Sequence, residues 1–403
     1  MSSLPRFCLL SLTALTPACA STVIPAAPED AAADGPDAHV IQRCDGGIQW
    51  LDPVTDPPLP IAAEPAPQIA ALTNGRFAVF QWHESQGALA RFVPTSGTWN
   101  RDATLSAEWA GAPRPGDIVV QRLFVGELGN APAFGIVANG APGVVWTTRP
   151  SSTGPWSAAT SLDPGIRGIG DLAFMDDHVT VSTWNLIIGM GAVSGLDMVT
   201  VDPVRGSILR RDVWETGSYA AYYTISDGPQ LVRDGAGLFA VRPTALKVFS
   251  GPNTGVQLDA SECCQMFSAA VGANHRVWVL HAHRESPRLR LAYVEGSSAT
   301  PLAWSSNRVP LGVTFESAVA PAGDGAVIAY FEHRDLTVTL VDRTGAVRAT
   351  ASLPTHLSVD SIAPIRLAAA SDGTFAVLWT AVDVAHAFAN GAGGLVRFRL
   401  CGS

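Results

Sequence analysis

The feature that most constrains this chain is a motif that returns seven times. A short apolar run, a turn rich in Gly, Asn or Asp, and a second apolar run recur at IAALTNGRFAVFQWH, GDLAFMDDHVTVSTWN, FSAAVGANHRVWVLHAH, ESAVAPAGDGAVIAYFEH and RLAAASDGTFAVLWT. Looser copies are RLFVGELGNAPAFGIVAN and PQLVRDGAGLFAVRP. The copies start near Ile69, Arg122, Gly170, Pro229, Phe267, Glu316 and Arg366, roughly 40 to 60 residues apart. A third run follows, as in LTVTLVD from Leu336 or LVRFRL from Leu395, where Val396, Phe398 and Leu400 alternate with Arg397 and Arg399 in the two-residue period of a strand. A fourth, weaker run follows in most copies. Four strands per unit, repeated about seven times, predict an all-β chain folded as a β-propeller of seven four-stranded blades. The second run is often apolar on both faces, as in VWVL from Val277, which suits a sheet covered on each side by a neighbouring blade. Irregular strand spacing would instead favour tandem β-sandwiches.

A propeller must close its ring, and the last copy ends at Cys401 after three strands. The spare segment is HVIQRCDGGIQWLD, His39 to Asp52. Pairing of these N- and C-terminal strands completes the last blade and brings Cys44 beside Cys401. Of six cysteines, Cys8 and Cys19 fall in the leader, and the remaining four allow two disulfides in three connectivities. Cys44 with Cys401 is the expected clasp, and in the chain-entropy picture so long a loop contributes about 4 to 5 kcal/mol. Cys263 and Cys264 are then left to each other. Such a vicinal bridge is strained, because adjacent Cα atoms lie about 3.8 Å apart and ordinary bridges span roughly 4.4 to 6.8 Å. The strain makes it comparatively reducible.

At the N-terminus, Met1 to Arg6 carries one positive charge, Phe7 to Leu15 is an apolar run of signal-peptide length, and Ala18 and Ala20 are small. Residues 1–20 are therefore expected to be a signal peptide. Two processing routes compete. Ala18-Cys19-Ala20 fits small-x-small cleavage, whereas Thr16-Pro17-Ala18-Cys19 resembles a bacterial lipobox, with Leu15 one place early and Pro17 unusual there. Residues 21–38, STVIPAAPEDAAADGPDA, are too poor in large apolar residues to fold and read as a disordered tether. That tether favours the lipoprotein, with Cys19 lipidated and the propeller occupying residues 39–403. The expected location is the outer membrane or cell surface, the alternative a periplasmic or secreted protein.

Only 15% of residues are charged against 47% hydrophobic, so a large core is available. Net charge is −9 with no basic stripe, which argues against nucleic acid as a partner. Gly-x-Ser-x-Gly with a partnered His is absent, and no glycine-rich phosphate loop follows a strand and opens a helix. Neither metal nor cofactor is expected. His281-x-His283 places two imidazoles on one strand face without an adjacent third ligand, and the Asp-Gly pairs of AGDG from Ala322 and SDG from Ser371 read as hairpin turns.

Two segments between third and fourth strands, PTSGTWN from Pro94 and SSTGPWS from Ser151, resemble the Ser-x-Asp-x-Gly-x-x-Trp turns of sialidase-type propellers, each without the Asp. In that family these turns are structural, so Trp99 and Trp156 are expected to pack between blades. The resemblance also implies, as an alternative function, a sialidase-like glycan hydrolase, for which Glu215, Tyr222 and Tyr223 are the available residues. A vicinal cysteine pair also occurs beside the cofactor in quinone-dependent propeller dehydrogenases. This chain resembles them in that pair alone and lacks their repeated tryptophan docking motif.

In a propeller, the loop after the second strand and the loop before the first open on one face. Three second strands end in His83-Glu84-Ser85, His283-Arg284-Glu285-Ser286 and His333-Arg334-Asp335, and Trp184-Asn185 takes the same place in the third copy. Arg167, Tyr222, Glu262 to Cys264, Glu316 and Arg366 are assigned to the loops before first strands. Imidazole, guanidinium and carboxylate around a channel suit a carboxylated or sugar-like ligand; polar strand ends exposed to water are the plainer explanation. The expected function is a non-catalytic, envelope-facing binding module, monomeric, taking a carbohydrate, small molecule or envelope protein. A purely structural surface protein ranks third.

Overall fold

The computed structural model describes residues 44–401 apart from 46, 53–58, 61–64, 84–86, 98–105, 110–111, 113–118, 140–142, 150–153, 163–168, 188–191, 221–228, 243–245, 259–263, 284–285, 307–316, 333–334, 356–360, 363–364, 381 and 384–391. The leader, Cys19 and the tether lie outside the described residues, within a separate unit of residues 1–41.

Three short strands come first: β1 (Cys44–Asp45), β2 (Ile48–Trp50) and β3 (Leu59–Pro60). Blade 1 is β4 (Gln68–Leu72), β5 (Arg76–His83), β6 (Gly87–Pro94) and β7 (Ser106–Glu108). Blade 2 is β8 (Val119–Leu128), β9 (Ala131–Asn139), β10 (Val144–Thr148) and β11 (Thr160–Ser161). Blade 3 is β12 (Ile169–Phe174), β13 (Val179–Ile187), β14 (Ala192–Val201) and β15 (Ile208–Ala220). Blade 4 has the shortest strands, β16 (Gln230–Asp234), β17 (Gly237–Arg242), β18 (Lys247–Phe249) and β19 (Val256–Gln257). Blade 5 is β20 (Cys264–Gly272), β21 (Arg276–His283), β22 (Ser286–Glu295) and β23 (Ser298–Ser305), and blade 6 is β24 (Ser317–Ala322), β25 (Gly325–Glu332), β26 (Asp335–Val341) and β27 (Val347–Pro354). A ribbon of β28 (Ser361–Ile362) with β31 (Val382–Asp383) flanks blade 7, whose own strands are β29 (Ile365–Ala369), β30 (Thr374–Thr380) and β32 (Ala392–Leu400).

The first six blades are antiparallel sheets with strands in sequence order. Blade 7 takes its fourth strand from the other end of the chain: Ile48, Gln49 and Trp50 of β2 pair with Leu400, Arg399 and Phe398 of β32. Closure through the N-terminal strand thus matches expectation, and so does the disulfide, with Cys44 and Cys401 joined across a Cα separation of 6.2 Å. Two details were not foreseen. β1 extends the sheet outward from β2, and β3 pairs with the far end of β32, at Gly393 and Ala392. Of the vicinal pair, Cys264 opens β20 while Cys263 lies outside the described residues.

The first strands touch one another in ring order, from β4 round to β29 and back to β4. Each blade-to-blade seam has its own buried cluster, and seven such clusters mean a closed ring. Seam 6/7 is the largest, with Phe331, Leu336 and Val338 packed on Phe375, Trp379 and Phe398, and Ile48 of the N-terminal strap inserted among them. Second strands sit between two seams, which is why both of their faces are apolar; every residue of β30 is buried. Seam 3/4 is the smallest, built from Leu196, Met198 and Trp214 against Ala240 and Phe249. Less apolar area leaves water there, so less free energy resists its opening. Hydrogen exchange is expected to show the amides of β17 and β18 opening before those of β25 and β30; equal protection would contradict this ordering.

Arg397 departs from the alternation around it. It lies on the polar side of β32 yet is fully buried, held by Asp52 just beyond β2: Nη2 donates to Oδ1 at 2.7 Å and Nε to Oδ2 at 3.0 Å. Nη1 and Nη2 also donate to the carbonyls of Pro94 and Gly97 in blade 1, at 2.6 and 2.9 Å. One guanidinium therefore ties strap, blade 7 and blade 1 together.

Candidate functional site at the mouth of the central channel

Strand alternation defines two faces. Starts of first strands and ends of second strands share the entry face, and the 1–2 and 3–4 turns share the other. His83 ends β5 opposite Gly87, and His283 ends β21 opposite Ser286 and Cys264. Asp335 opens β26 opposite Glu332. Blades 1, 5 and 6 therefore do present their second-to-third hairpins at one face. Trp184 is not at a strand end: β13 runs on to Ile187, and Trp184 lies opposite a bulge in β14, one residue of β13 facing the two residues Gly195 and Leu196. Glu84, Arg284, Glu285, His333 and Arg334 lie outside the described residues, as do Arg167, Tyr222, Tyr223, Glu262 and Glu316. Arg366 is no loop residue; it is the second residue of β29.

Beneath that rim, first-strand side chains form a polar belt. Arg366 Nε of blade 7 donates to Gln68 Oε1 of blade 1 at 3.1 Å. Arg122 of blade 2 donates to the Gly170 carbonyl of blade 3. The Leu231 amide of blade 4 donates to Asp171 Oδ2 of blade 3 at 2.6 Å. Gln230 and Ala269 exchange two hydrogen bonds across seam 4/5, at 3.0 and 3.3 Å, and the Val319 amide of blade 6 donates to Ser268 Oγ of blade 5 at 3.3 Å. Three of these positions follow bulges in their first strands, namely Arg122, Asp171 and Ser268. A bulge re-aims the side chains beside it.

The charges interact across the ring. Burial and then the positive charge of Arg122 bring Arg366 down to about 10, with Asp171 pulling the other way. Blade 7 does not adjoin blades 2 and 3, so these fields cross the channel. Burial pushes the Asp171 carboxyl up to about 6, against the Leu231 amide, Arg122, the Leu172 amide and Arg366, which all favour the anion. A carboxyl near its usual value of about 3.9 in the unfolded chain and near 6 in the folded one adds stability below pH 4 that fades as pH rises through 6. Asp171→Asn removes that titration. Relative to wild type, the variant is expected to gain stability between pH 4 and pH 7 in urea unfolding, and a pH-independent difference would contradict the assignment.

The opposite face carries side-chain contacts between blades. Arg233 of blade 4 donates to the carbonyls of Glu127 in blade 2 and Phe174 in blade 3, both at 2.9 Å, and pairs with Asp176. Thr73 of blade 1 donates to Glu127 Oε1, His275 pairs with Asp234, and Arg276 bridges Glu295 and Asp324. The AGDG and SDG segments are hairpin turns there, with positive φ at Gly323, just before the Asp324-Gly325 pair, and at Gly373.

Other singled-out residues have structural partners. Glu215, on the outermost strand of blade 3, is buried beneath Arg242 and Lys247 of blade 4 at 2.8 and 2.9 Å. Trp156 packs as expected, stacked on Trp109 with Phe134 at its edge and Arg149 over its face, across seam 1/2; Trp99 lies outside the described residues. His281 is buried within β21. Among the described residues no three His, Cys, Asp or Glu gather in a metal-binding group.

Fold and belt together define a seven-bladed propeller with charged groups at one channel mouth. No family model matches the chain, and no curated protein does. Solved structures do. A prolyl endopeptidase structure matches at 14% identity and a TM-score of 0.48 over 82% of this chain, which spans about half (50%) of that enzyme's length. AztD from Citrobacter koseri matches at 11% identity and TM-score 0.48, covering 82% of this chain and 88% of that one. The PQQ-bound aldose sugar dehydrogenase of Streptomyces coelicolor matches at 15% identity and TM-score 0.44, covering 89% and 99%.

Proposed function

We propose that this chain is an exported, lipid-anchored binding propeller that takes its ligand on the entry face and does not turn it over. The observation that carries the reading is the difference between the two faces: one stitched by ion pairs and turn contacts, the other lined by a belt of polar and charged side chains. The candidate ligand contacts remain His83, Glu84, Trp184, His283, Arg284, Glu285, His333, Arg334 and Asp335, proposed from their places in the sequence. Lipidation at Cys19 and a location at the outer membrane or cell surface follow from the leader and tether. The Cys44–Cys401 disulfide is in keeping with an oxidising compartment. The ligand is a carbohydrate, small molecule or envelope protein, bound by a monomer. A glycan-hydrolase reading gains nothing from Glu215, which serves a seam between blades.

The test screens detergent-released full-length protein against an array of glycans and envelope components, together with fluorogenic sialosides. Binding that is lost in a His83→Ala/His283→Ala/His333→Ala variant, without hydrolysis, is the expected result. Turnover of a sialoside by the wild-type protein would establish the hydrolase instead, and unchanged binding in the triple variant would remove the rim from the site.

A further inference from the structure

The outermost strand of blade 3 is unlike the others. Those of blades 1, 2 and 4 have two or three residues, which leaves little edge to pair. β15 has 13. On β27 the apolar residues Ala349, Ala351 and Leu353 are buried. Of the five large apolar side chains exposed among the described residues, four are Val204, Ile208, Leu209 and Val213, in the turn before β15 and along its first half. Leu209 is 59% exposed and Val213 49%. Such residues scattered singly need no explanation, whereas a cluster marks a contact surface.

The edge is fixed at both ends. Trp146 Nε1 donates to the Pro203 carbonyl at 2.9 Å and Thr160 Oγ1 to the Val204 carbonyl at 3.2 Å, which holds the preceding turn on blade 2. The Asn253 amide of blade 4 donates to the Trp214 carbonyl at 2.9 Å. Between these points Arg210 to Val213 pair without interruption with Thr200 to Asp197 of β14, Leu209 being the extra residue of a bulge. The outer side of β15 carries no strand among the described residues.

We propose that two copies of this chain pair edge to edge through β15, antiparallel about a two-fold axis at Arg211. The order Leu209-Arg210-Arg211-Asp212-Val213 is complementary to itself in that arrangement. Leu209 lies opposite Val213 of the second copy and Arg210 opposite its Asp212, each contact occurring twice, and apolar or oppositely charged pairs so placed attract. Arg211 meets its own copy, but Asp197 Oδ2 accepts from its Nε and Nη2 at 3.0 and 2.6 Å. Neighbouring two-fold registers lose the match: centring on Arg210 sets Leu209 against Arg211, and centring on Asp212 sets Arg211 against Val213. Charge does not mark the patch for an anionic lipid surface, because Arg205, Arg210 and Arg211 stand beside Asp202, Asp212 and Asp197. So short a ladder makes a weak dimer, and the monomer of dilute solution is one side of an equilibrium. First strands line the channel, so each copy binds its ligand alone, and the inference goes beyond the binding reading without depending on it.

The experiment is sedimentation velocity of detergent-released full-length protein from about 1 to 500 µM, the range in which weak interfaces associate. Wild type is expected to pass from monomer to dimer. Arg210→Asp and Asp212→Arg are each expected to weaken the dimer at least about 10-fold, since each sets like charges opposite one another twice. Mixed in equal amounts, the two variants are expected to associate with about wild-type affinity, because one carries two acids where the other carries two bases. Repair within a single chain cannot give that result. Leu209→Ser, which alters no charge, is expected to weaken the dimer at least about 5-fold. Thermal unfolding checks each fold, and the wild-type series with Leu209→Ser decides if the charge variants do not fold. A wild type that stays monomeric throughout, undiminished association of folded Leu209→Ser, or a mixture that stays monomeric while wild type dimerises overturns the proposal. Binding of monomers to anionic-lipid vesicles that is lost in Leu209→Ser, without dimers, gives the patch to a membrane and overturns it as well.

Discussion

Arg397→Ala is expected to lower the unfolding free energy by about 3 to 5 kcal/mol, because it strands a buried carboxylate. Asp52 is 5% exposed and Arg397 0%. Every hydrogen bond from the Arg397 guanidinium goes to Asp52 or to the carbonyls of Pro94 and Gly97. Removing the cation leaves Asp52 with the Arg397 backbone amide, at 2.8 Å, as its remaining partner from β32. The loss therefore measures a buried carboxylate deprived of its cation and does not measure the net worth of the pair. Replacing both partners, as Arg397→Met with Asp52→Leu, is expected to recover most of it, since paired buried ions are often matched by apolar groups of similar volume. Urea unfolding of the two single variants and the double variant decides the matter. A loss below about 1 kcal/mol for Arg397→Ala would mean that water reaches Asp52 after all.

Cys44→Ser with Cys401→Ser is expected to cost about 5 to 6 kcal/mol, through the unfolded chain. The bridge spans a sequence separation of 357 residues, so reducing it frees nearly the whole propeller. The folded side of the balance changes less, since β2 still pairs with β32 and Ile48 still fills seam 6/7. Thermal unfolding with and without reductant checks this. Wild type is expected to fall to the level of the serine variant when reduced, and a serine variant as stable as oxidised wild type would show that strap packing alone holds the ring. Because the bridge and the Asp52–Arg397 pair secure the same closure, their combined removal is expected to depart from additivity.

Much of this fold was legible because the repeat is periodic and each copy carries its own turn chemistry. The incomplete seventh copy, the spare strand at His39 to Asp52 and the cysteine at each end pointed to one closure, and β2, β32 and the disulfide realise it. Arg397 was not legible: its alternation with Val396 and Phe398 reads as a solvated face, and the partner that buries it lies 345 residues away. Glu215 was misleading for a related reason, since Arg242 and Lys247 meet it only across a seam. The channel belt does leave a signal in the sequence. Gln68, Arg122, Asp171, Gln230, Ser268 and Arg366 fall within one residue of the starts of their repeat copies. Aligning the copies by those starts, instead of by their turns, puts the polar side chains in one column.

The strap also fixes how force passes through the molecule. Cys44 opens the first strand of the propeller, so a pull on the residues before it reaches the S–S bond before any strand pairing. The bond hands that tension to Cys401 at the end of β32, a strand paired along its length with β30 and braced at Arg397 by blade 1. Oxidised, the load passes into the paired strands of blade 7; reduced, the same pull peels the three residues of β2 away one pair at a time. For a body held by its N-terminus, the redox state of one bond sets whether drag tightens the ring or unzips it.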